Sequence, residues 1–414
     1  MIFRIAIESL KNRKGAVLLT MLSIIVSVSL LISVDNIRKQ AKDSFGRTVS
    51  GVDLIVGART GQVNLLLYSV FRMGNPGNSI QWSSYEEIAN ATAVKWAVPV
   101  SLGDSHRGFR VMGTSQEYFK RFQYGQQQSL SFQSGATFNN PFGAVIGADI
   151  AEALNYSIDE EIVLSHGVGH TSFSHHKHSP FKIVGILKPT GTPVDKTVHV
   201  SLAGVEVAHM REALVDEIAD KVANNIAVDV QVKNISAIFL GLNSKVQALQ
   251  MQHSINQYQQ EALMAILPGV ALAELWQLVG TLENVLLLIS VLILVSSLLG
   301  MATMLLTSIR ERQREFAVLR AIGAGPLTLF TLIQVEAFVI SLIASILGVV
   351  IVWSILTIGN DWLSHEYGLF IDNKVLSVDS FIIVSVICAA SFLIASIPAF
   401  AAYTRTLQQG LTAK

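Results

Sequence analysis

The chain is poor in cysteine. Its single thiol, Cys388, lies inside an apolar run, so no intramolecular disulfide can form and a cysteine-based zinc site lacks its ligands. Charge is also scarce: 14% of the 414 residues are Asp, Glu, Lys or Arg, against 51% hydrophobic. That balance is too apolar for an ordinary soluble protein of this length. The 30 basic and 30 acidic residues cancel, so no net field argues for nucleic acid. The pattern Gly-x-x-x-x-Gly-Lys-Ser/Thr is missing, and Gly323-Ala324-Gly325 follows a helical stretch rather than a strand. The chain therefore has no P-loop to cradle a nucleotide's phosphates. Between residues 36 and 275 no run is apolar enough to cross a bilayer.

Four long apolar runs are present, at residues 16–34, 286–306, 327–356 and 381–402, and each is long enough to span a hydrocarbon core. The first follows a basic lead-in, with Arg4, Lys11, Arg13 and Lys14 against Glu8. It is long for a signal peptide and shows no small-residue cleavage pattern, so it reads as an uncleaved span. Basic residues set the orientation. Arg4, Lys11, Arg13, Lys14, Arg310, Arg312, Arg314, Arg320, Arg405 and Lys414 fall on one side, opposed by Glu8, Glu311 and Glu315. The loop at 359–378, with Asp361, Glu366 and Asp372 against Lys374, falls on the other. Both termini and the 308–326 stretch are thus expected in the cytoplasm, and the 36–275 region outside.

That outer region alternates short β-branched runs with helical pieces. Strands are expected at 53–56, 94–102, 109–112, 144–146, 161–164, 181–187, 198–200 and 226–232. Helices are expected at 84–90, 115–122, 148–154, 204–222 and 235–260, with the Gln-rich 247–260 serving as a stalk. The fold class is an α+β membrane protein: four transmembrane helices, with a large mixed α+β periplasmic domain between helices 1 and 2. The chain divides at 1–35, 36–275 and 276–414.

The most informative stretch is residues 308–326, Ser-Ile-Arg-Glu-Arg-Gln-Arg-Glu-Phe-Ala-Val-Leu-Arg-Ala-Ile-Gly-Ala-Gly-Pro. Glu311, Arg312, Arg314 and Glu315 interleave signs at helical spacing. Phe316, Leu319 and Ile322 recur every three residues as an apolar stripe. Gly323, Gly325 and Pro326 stop the helix. On composition alone it could be a cytoplasmic loop obeying the positive-inside rule.

The stretch resembles the ERxRE…R-x-hydrophobic-GA signature of the FtsX/MacB-like ABC permeases. The likeness continues through Gln334-Val-Glu-Ala337 to Gly348, and the basic lead-in of residues 7–22 is similar to the family's approach to its first span. Pro398-Ala399, Ala402 and Leu411 resemble its closing segment, and residues 143–155 with 181–200 are loosely similar to its periplasmic domain. The resemblance implies that 308–326 is a coupling helix seated on an ATPase subunit, through Glu311, Arg312, Arg314, Glu315, Arg320 and Gly323. It implies a separate ATPase partner, since the longer MacB proteins carry that domain on the same chain. It also implies a second permease chain, most simply a homodimer, in the bacterial inner membrane and in contact with its lipid.

Two further features carry chemistry. Glu336 lies about ten residues into the third apolar run, where a lipid-facing charge would cost several kcal/mol. It either links span movement to the coupling helix or is an interfacial carboxylate paired with a nearby base. The other feature is a histidine tract: five of the ten histidines, His166, His170, His175, His176 and His178, fall within 13 residues among Gly, Ser and Thr. Imidazoles converging there would hold Zn²⁺, or Cu²⁺ or Ni²⁺; His106 and His199 could add ligands from neighbouring strands, although single histidines are more often structural. The alternative is a solvated, His-tag-like loop. The tract suggests metal handling with a periplasmic metal-carrying or substrate protein. Lipoprotein, lipid or peptide export, and a non-transporting switch for a periplasmic partner, are the competing functions. No catalytic residue is expected in this chain.

Overall fold

The computed structural model describes residues 2–11, 13–48, 50–125, 127–166, 180–367 and 377–411. The chain forms two units: residues 1–40 with 280–362 and 371–414, and residues 41–279 with 363–370.

Among the described residues four helices are long and apolar enough to cross a membrane, Lys14–Gln40, Pro268–Glu311, Pro326–Ile358 and Val378–Thr404, and all but residues 268–279 of the second belong to the first unit. They are called spans 1 to 4 below. A short amphipathic helix, Ile2–Lys11, precedes span 1. The spans share one core, built from Ile24, Val28 and Ile32 of span 1, Leu298 and Met301 of span 2, Ala337 and Ile340 of span 3, and Ala395 and Ala399 of span 4. Small and hydroxyl side chains let the helices approach, because lipid tails give helices no hydrophobic reason to associate. The Ser297 hydroxyl lies 2.8 Å from both Ser23 and Ser27. Ser391 donates to Ser341 at 2.8 Å, and Gln334 donates to Ser396 at the same distance. Cys388 is buried between them, with its sulfur 4.0 Å from the Ser341 hydroxyl.

The second unit is organised by an eleven-stranded mixed sheet. Nine strands form its path: β1 (Leu54–Ala58), β2 (Val94–His106), β3 (Phe109–Thr114), β4 (Phe132–Gly135), β5 (Gly143–Ile146), β6 (Phe181–Leu187), β7 (Thr197–Ser201), β8 (Ala237–Leu242) and β9 (Leu263–Ile266). Their order is β9-β1-β8-β2-β3-β7-β5-β6-β4. The β7/β3 and β6/β5 pairs are parallel and the other neighbours antiparallel. Two short strands join at the side, Ser165–His166 on β2 and Glu161–Ile162 on β6. Separate apolar clusters flank the sheet, one around Tyr118, Phe119, Phe239 and Val98 and another around Leu54, Val56, Leu240 and Ile255.

The expected mixed α+β domain is present, with three local corrections. Residues 226–232 form no strand; the strand of this region is β8, whose six residues are all buried between β1 and β2. A strand buried on both faces reads as a continuous apolar run, which periodicity cannot tell from a helix. The expected helix over 204–222 is two, Leu202–Ala208 and Glu212–Ala223, the first capped by Ser201 Oγ accepting from the Gly204 amide at 2.9 Å. The expected helix over 235–260 is confined to Ala248–Asn256, its first part being β8, and that helix is packed in the domain rather than standing out as a stalk. Ala248 and Ile255 are buried, Gln252 donates to the Ala265 carbonyl at 3.1 Å, and Asn256 Oδ1 accepts from the Ala265 amide at 2.7 Å. Two side chains thus tie the helix to β9, leaving it no freedom to serve as a stalk.

Candidate functional site

The charged stretch after span 2 is nearly continuous with it. The span-2 helix ends at Glu311, and a second helix, Gln313–Ala321, begins two residues on. The hydrogen-bond ladder runs through the junction, since the Arg312 amide donates to the Ser308 carbonyl at 3.1 Å and the Phe316 amide donates to the Arg312 carbonyl at 3.0 Å. The C-terminus closes as its glycine requires. Gly323 adopts φ +97°, and the Ala324 amide donates back to the Leu319 carbonyl at 2.9 Å. This is a Schellman closure, which favours a residue without Cβ at the left-handed position. Pro326 then opens span 3, where its missing N–H costs nothing.

Arg312 is the buried centre of this segment. Its Nη1 donates to Glu336 Oε1 of span 3 at 2.8 Å, and its Nε donates to Glu315 Oε2 at 2.6 Å. The guanidinium also lies 5.1 Å from the Phe316 ring centre. The side chains of Arg312 and Glu336 are 6% and 3% exposed, so the pair is withdrawn from solvent on both sides. Of the two readings of Glu336, pairing with a nearby base is therefore met, and the base belongs to the charged helix itself. Arg13, just before span 1, donates through Nη2 to the Ser308 carbonyl at 3.0 Å and lies 3.6 Å from Glu311. The segment is thus tied to spans 1 and 3.

Its two faces differ. Arg312, Phe316 and Leu319 turn toward the helix core, and Phe316 is buried. Glu311, Glu315, Val318 and Ile322 recur at helical spacing on an adjoining face, a quarter-turn or so round the helix, that is exposed. Their exposures are 63% and 55% for the two carboxylate side chains and 63% and 72% for Val318 and Ile322. Ile322 is a correction: spacing by threes groups it with Phe316 and Leu319, but the 3.6-residue turn carries it round to the side of Val318. Nothing in the sequence short of that angular count separates the two faces. The side chains of Arg314 and Arg320 lie outside the described residues, as does the whole of Lys414.

The histidine tract divides differently. His170, His175, His176 and His178 lie outside the described residues, as does the His166 side chain; the His166 backbone pairs with Asp104 at the end of β2. Among the described residues no three His, Cys, Asp or Glu side chains converge as a metal site. His106 and His199 have structural roles. The His106 Nδ1 lies 2.8 Å from the Val163 carbonyl and its Nε2 lies 2.9 Å from the Tyr156 hydroxyl, so both ring nitrogens are engaged. His199 is fully buried against the rings of Tyr118 and Phe119, and burial pushes its imidazole down to about 3.

His209 behaves in the opposite way. Its Nε2 lies 3.6 Å from the buried Asp104 carboxylate, whose hydrogen bonding raises the imidazole above its ordinary value against the effect of burial. A raised folded-state value contributes stability that is complete below about pH 6.5 and fades as pH rises through the folded value. The loss of thermal stability caused by His209→Gln should therefore be larger at pH 5.5 than at pH 8.5. An equal loss at both pH values would show that the Asp104 contact does not depend on the imidazole's charge.

The model of the MacB-like periplasmic core domain matches residues 17–258, more than half of the chain, and that of the FtsX-like permease C-terminal region matches residues 287–407. Among solved structures, the periplasmic region of MacB from Actinobacillus actinomycetemcomitans is 10% identical, with a TM-score of 0.33; the match covers 57% of this chain and 95% of that one. The extracellular domain of the noncanonic ABC-type transporter YknZ from Gram-positive bacteria is 13% identical, with a TM-score of 0.30; it covers 52% of this chain and 98% of that one. No curated protein matches. With a MacB-like periplasmic domain followed by an FtsX-like permease region on four membrane-spanning helices, the chain belongs to the FtsX/MacB-like ABC transporter permeases.

Proposed function

We propose that this permease receives ATP-driven motion from a separate ATPase subunit through residues 308–326 and passes it along its spans to the periplasmic domain. The observation that carries the proposal is the division of the 308–326 segment into two faces. One side is pinned into the helix core by the Arg312–Glu336 pair. The other offers two carboxylates and two apolar side chains, Glu311, Glu315, Val318 and Ile322, to whatever lies beneath. A force applied to the exposed face would reach span 3 directly, because the pair is short and buried. It would also reach span 2, whose helix is unbroken over 44 residues from Pro268 to Glu311.

Cross-linking tests the docking face. Cys388 is a buried, free thiol on an apolar helix, so Cys388→Ala should leave activity near normal and provide a cysteine-free background. In that background Ile322→Cys should cross-link to the co-expressed ATPase subunit, and Phe316→Cys should not. Cross-linking at Phe316 but not at Ile322 would reverse the assignment of faces.

A homodimer of permease chains is the simplest assembly for such a device. For the periplasmic side, the histidine tract supports a role in zinc handling by composition alone. Replacing His170, His175, His176 and His178 by Ala should then remove one equivalent of Zn²⁺ binding that weakens as pH falls through about 6.5. Equal growth of wild-type and four-Ala strains under zinc limitation and zinc excess would leave export or switching of a periplasmic partner as the better reading.

A further inference from the structure

A groove of about 390 Å³ opens between the N-terminal helix, span 1 and span 3. Its walls are apolar: Phe3, Ile7 and Leu10 from the N-terminal helix, Leu18 and Met21 from span 1, and Ile343 with its neighbours from span 3. Among the described residues the charged groups that line it are Lys11 and Lys14, both exposed. Lys11 is paired with Glu8 at 2.8 Å, whereas Lys14 forms no ion pair among the described residues.

The sequence explains why the groove exists. Phe3, Ile7 and Leu10 follow the i, i+4, i+7 rule of one helix face, while Ala6 on the adjoining face is fully buried against the spans. An amphipathic helix of this kind lies in the plane of the interface, with its apolar face toward the acyl chains. Phe3 is 59% exposed, Leu18 60% and Ile343 44%, so the groove presents apolar surface outward. In a membrane that surface is covered by lipid. The lysines stand at one end of it, since Lys14 begins span 1 and Met21 lies seven residues, or about 10 Å, further along the helix.

We propose that this groove is a binding site for one anionic phospholipid of the cytoplasmic leaflet. An acyl chain lies along Leu18, Met21 and Ile343, and the phosphate group sits between Lys11 and Lys14. Charge complementarity selects the occupant. A zwitterionic lipid would fill the same apolar walls but bring its own ammonium beside the lysines, offsetting its phosphate; an anionic one brings an uncompensated negative charge that Lys14 matches. The proposal concerns the membrane unit alone and does not depend on ATPase docking.

The full chain, purified in mild detergent and equilibrated with phosphatidylglycerol and phosphatidylcholine of matched acyl chains, tests it by mass spectrometry of the intact protein–lipid complex. Wild-type protein should retain phosphatidylglycerol in preference. Lys11→Gln/Lys14→Gln should lose that preference by about fivefold per lysine, while total retained lipid persists. Ile343→Trp, which fills the groove from an exposed position, should lower retention of both lipids. Arg4→Gln removes a cation from the same helix outside the groove and should change nothing. No preference in wild-type protein, an unchanged preference in the double lysine variant, or an equal effect of Arg4→Gln would overturn the proposal. So would a dimer of this chain that Ile343→Trp dissociates, because the groove would then be a contact between copies.

Discussion

Replacing Glu336 by leucine is expected to lower the thermal stability of the membrane unit and abolish the response of the ATPase subunit to the permease. The carboxylate is one half of a pair whose side chains are 6% and 3% exposed, and its loss leaves the Arg312 guanidinium buried with Glu315 as its remaining acidic contact. Removing one partner of a buried pair costs about 3–5 kcal/mol, because the other charge stays desolvated. Stability and coupling can be separated. The double variant Arg312→Met/Glu336→Leu removes both charges, so it should recover most of the lost stability, as apolar replacement of buried pairs often does. It should still fail to couple, since the direct tie between the 308–326 segment and span 3 is gone. Thermal unfolding in detergent and ATPase activity of the reconstituted complex are the two readouts. Normal coupling in the stable double variant would mean that force passes elsewhere, for instance along span 2.

The second large effect is expected from reversing Glu311 and Glu315 to lysine. Both carboxylates are more than half exposed and stand four residues apart on the outward face. Each also balances a buried or half-buried arginine: Glu311 lies 3.6 Å from Arg13, and Glu315 accepts from Arg312 at 2.6 Å. The reversal therefore inverts the charge of the docking face and sets lysines against the two arginines behind it. Pull-down of the ATPase subunit should be lost. Topology should hold, because two added lysines reinforce the positive-inside rule on the cytoplasmic side. The Glu311→Gln/Glu315→Gln variant isolates the loss of charge from the added repulsion, and it should retain weaker pull-down. Undiminished capture of the ATPase by the lysine variant would place the docking surface outside this helix.

The spans were legible from the sequence because membranes demand a composition that soluble folds lack. A run of about twenty apolar residues is its own signal, and the helices at 14–40, 268–311, 326–358 and 378–404 contain the apolar runs. Most strands of the periplasmic domain were legible for a related reason, since β-branched runs bounded by polar turns mark half-buried strands. The buried run Ala237–Leu242 was not. Its neighbours in the sheet, Leu54–Ala58 and Val94–His106, lie far away in sequence, and only that pairing turns an apolar segment into a central strand. The Gln-rich helix at Ala248–Asn256 was misplaced for the same reason, because its packing against Leu263–Ile266 is a tertiary fact.

In the 308–326 segment the sequence by itself determined the residue types, the helical spacing and the stop at Gly323, all of which follow from short-range backbone physics. It also marked Glu336 as a carboxylate that had to face the bundle, a partner or the interface rather than lipid. The tertiary structure decided which partner. Eight charged side chains of the segment and its surroundings, Arg13, Arg310, Glu311, Arg312, Arg314, Glu315, Arg320 and Glu336, carry both signs, and spacing alone does not choose among their pairings. Burial breaks that degeneracy: Arg312 is the base that the fold withdraws from water beside Glu336, where an unpaired charge would be most costly. The same withdrawal leaves Glu311 and Glu315 on the outside, so that one alternating run of charges is a buried clamp on one face and, on the next, the surface proposed for docking.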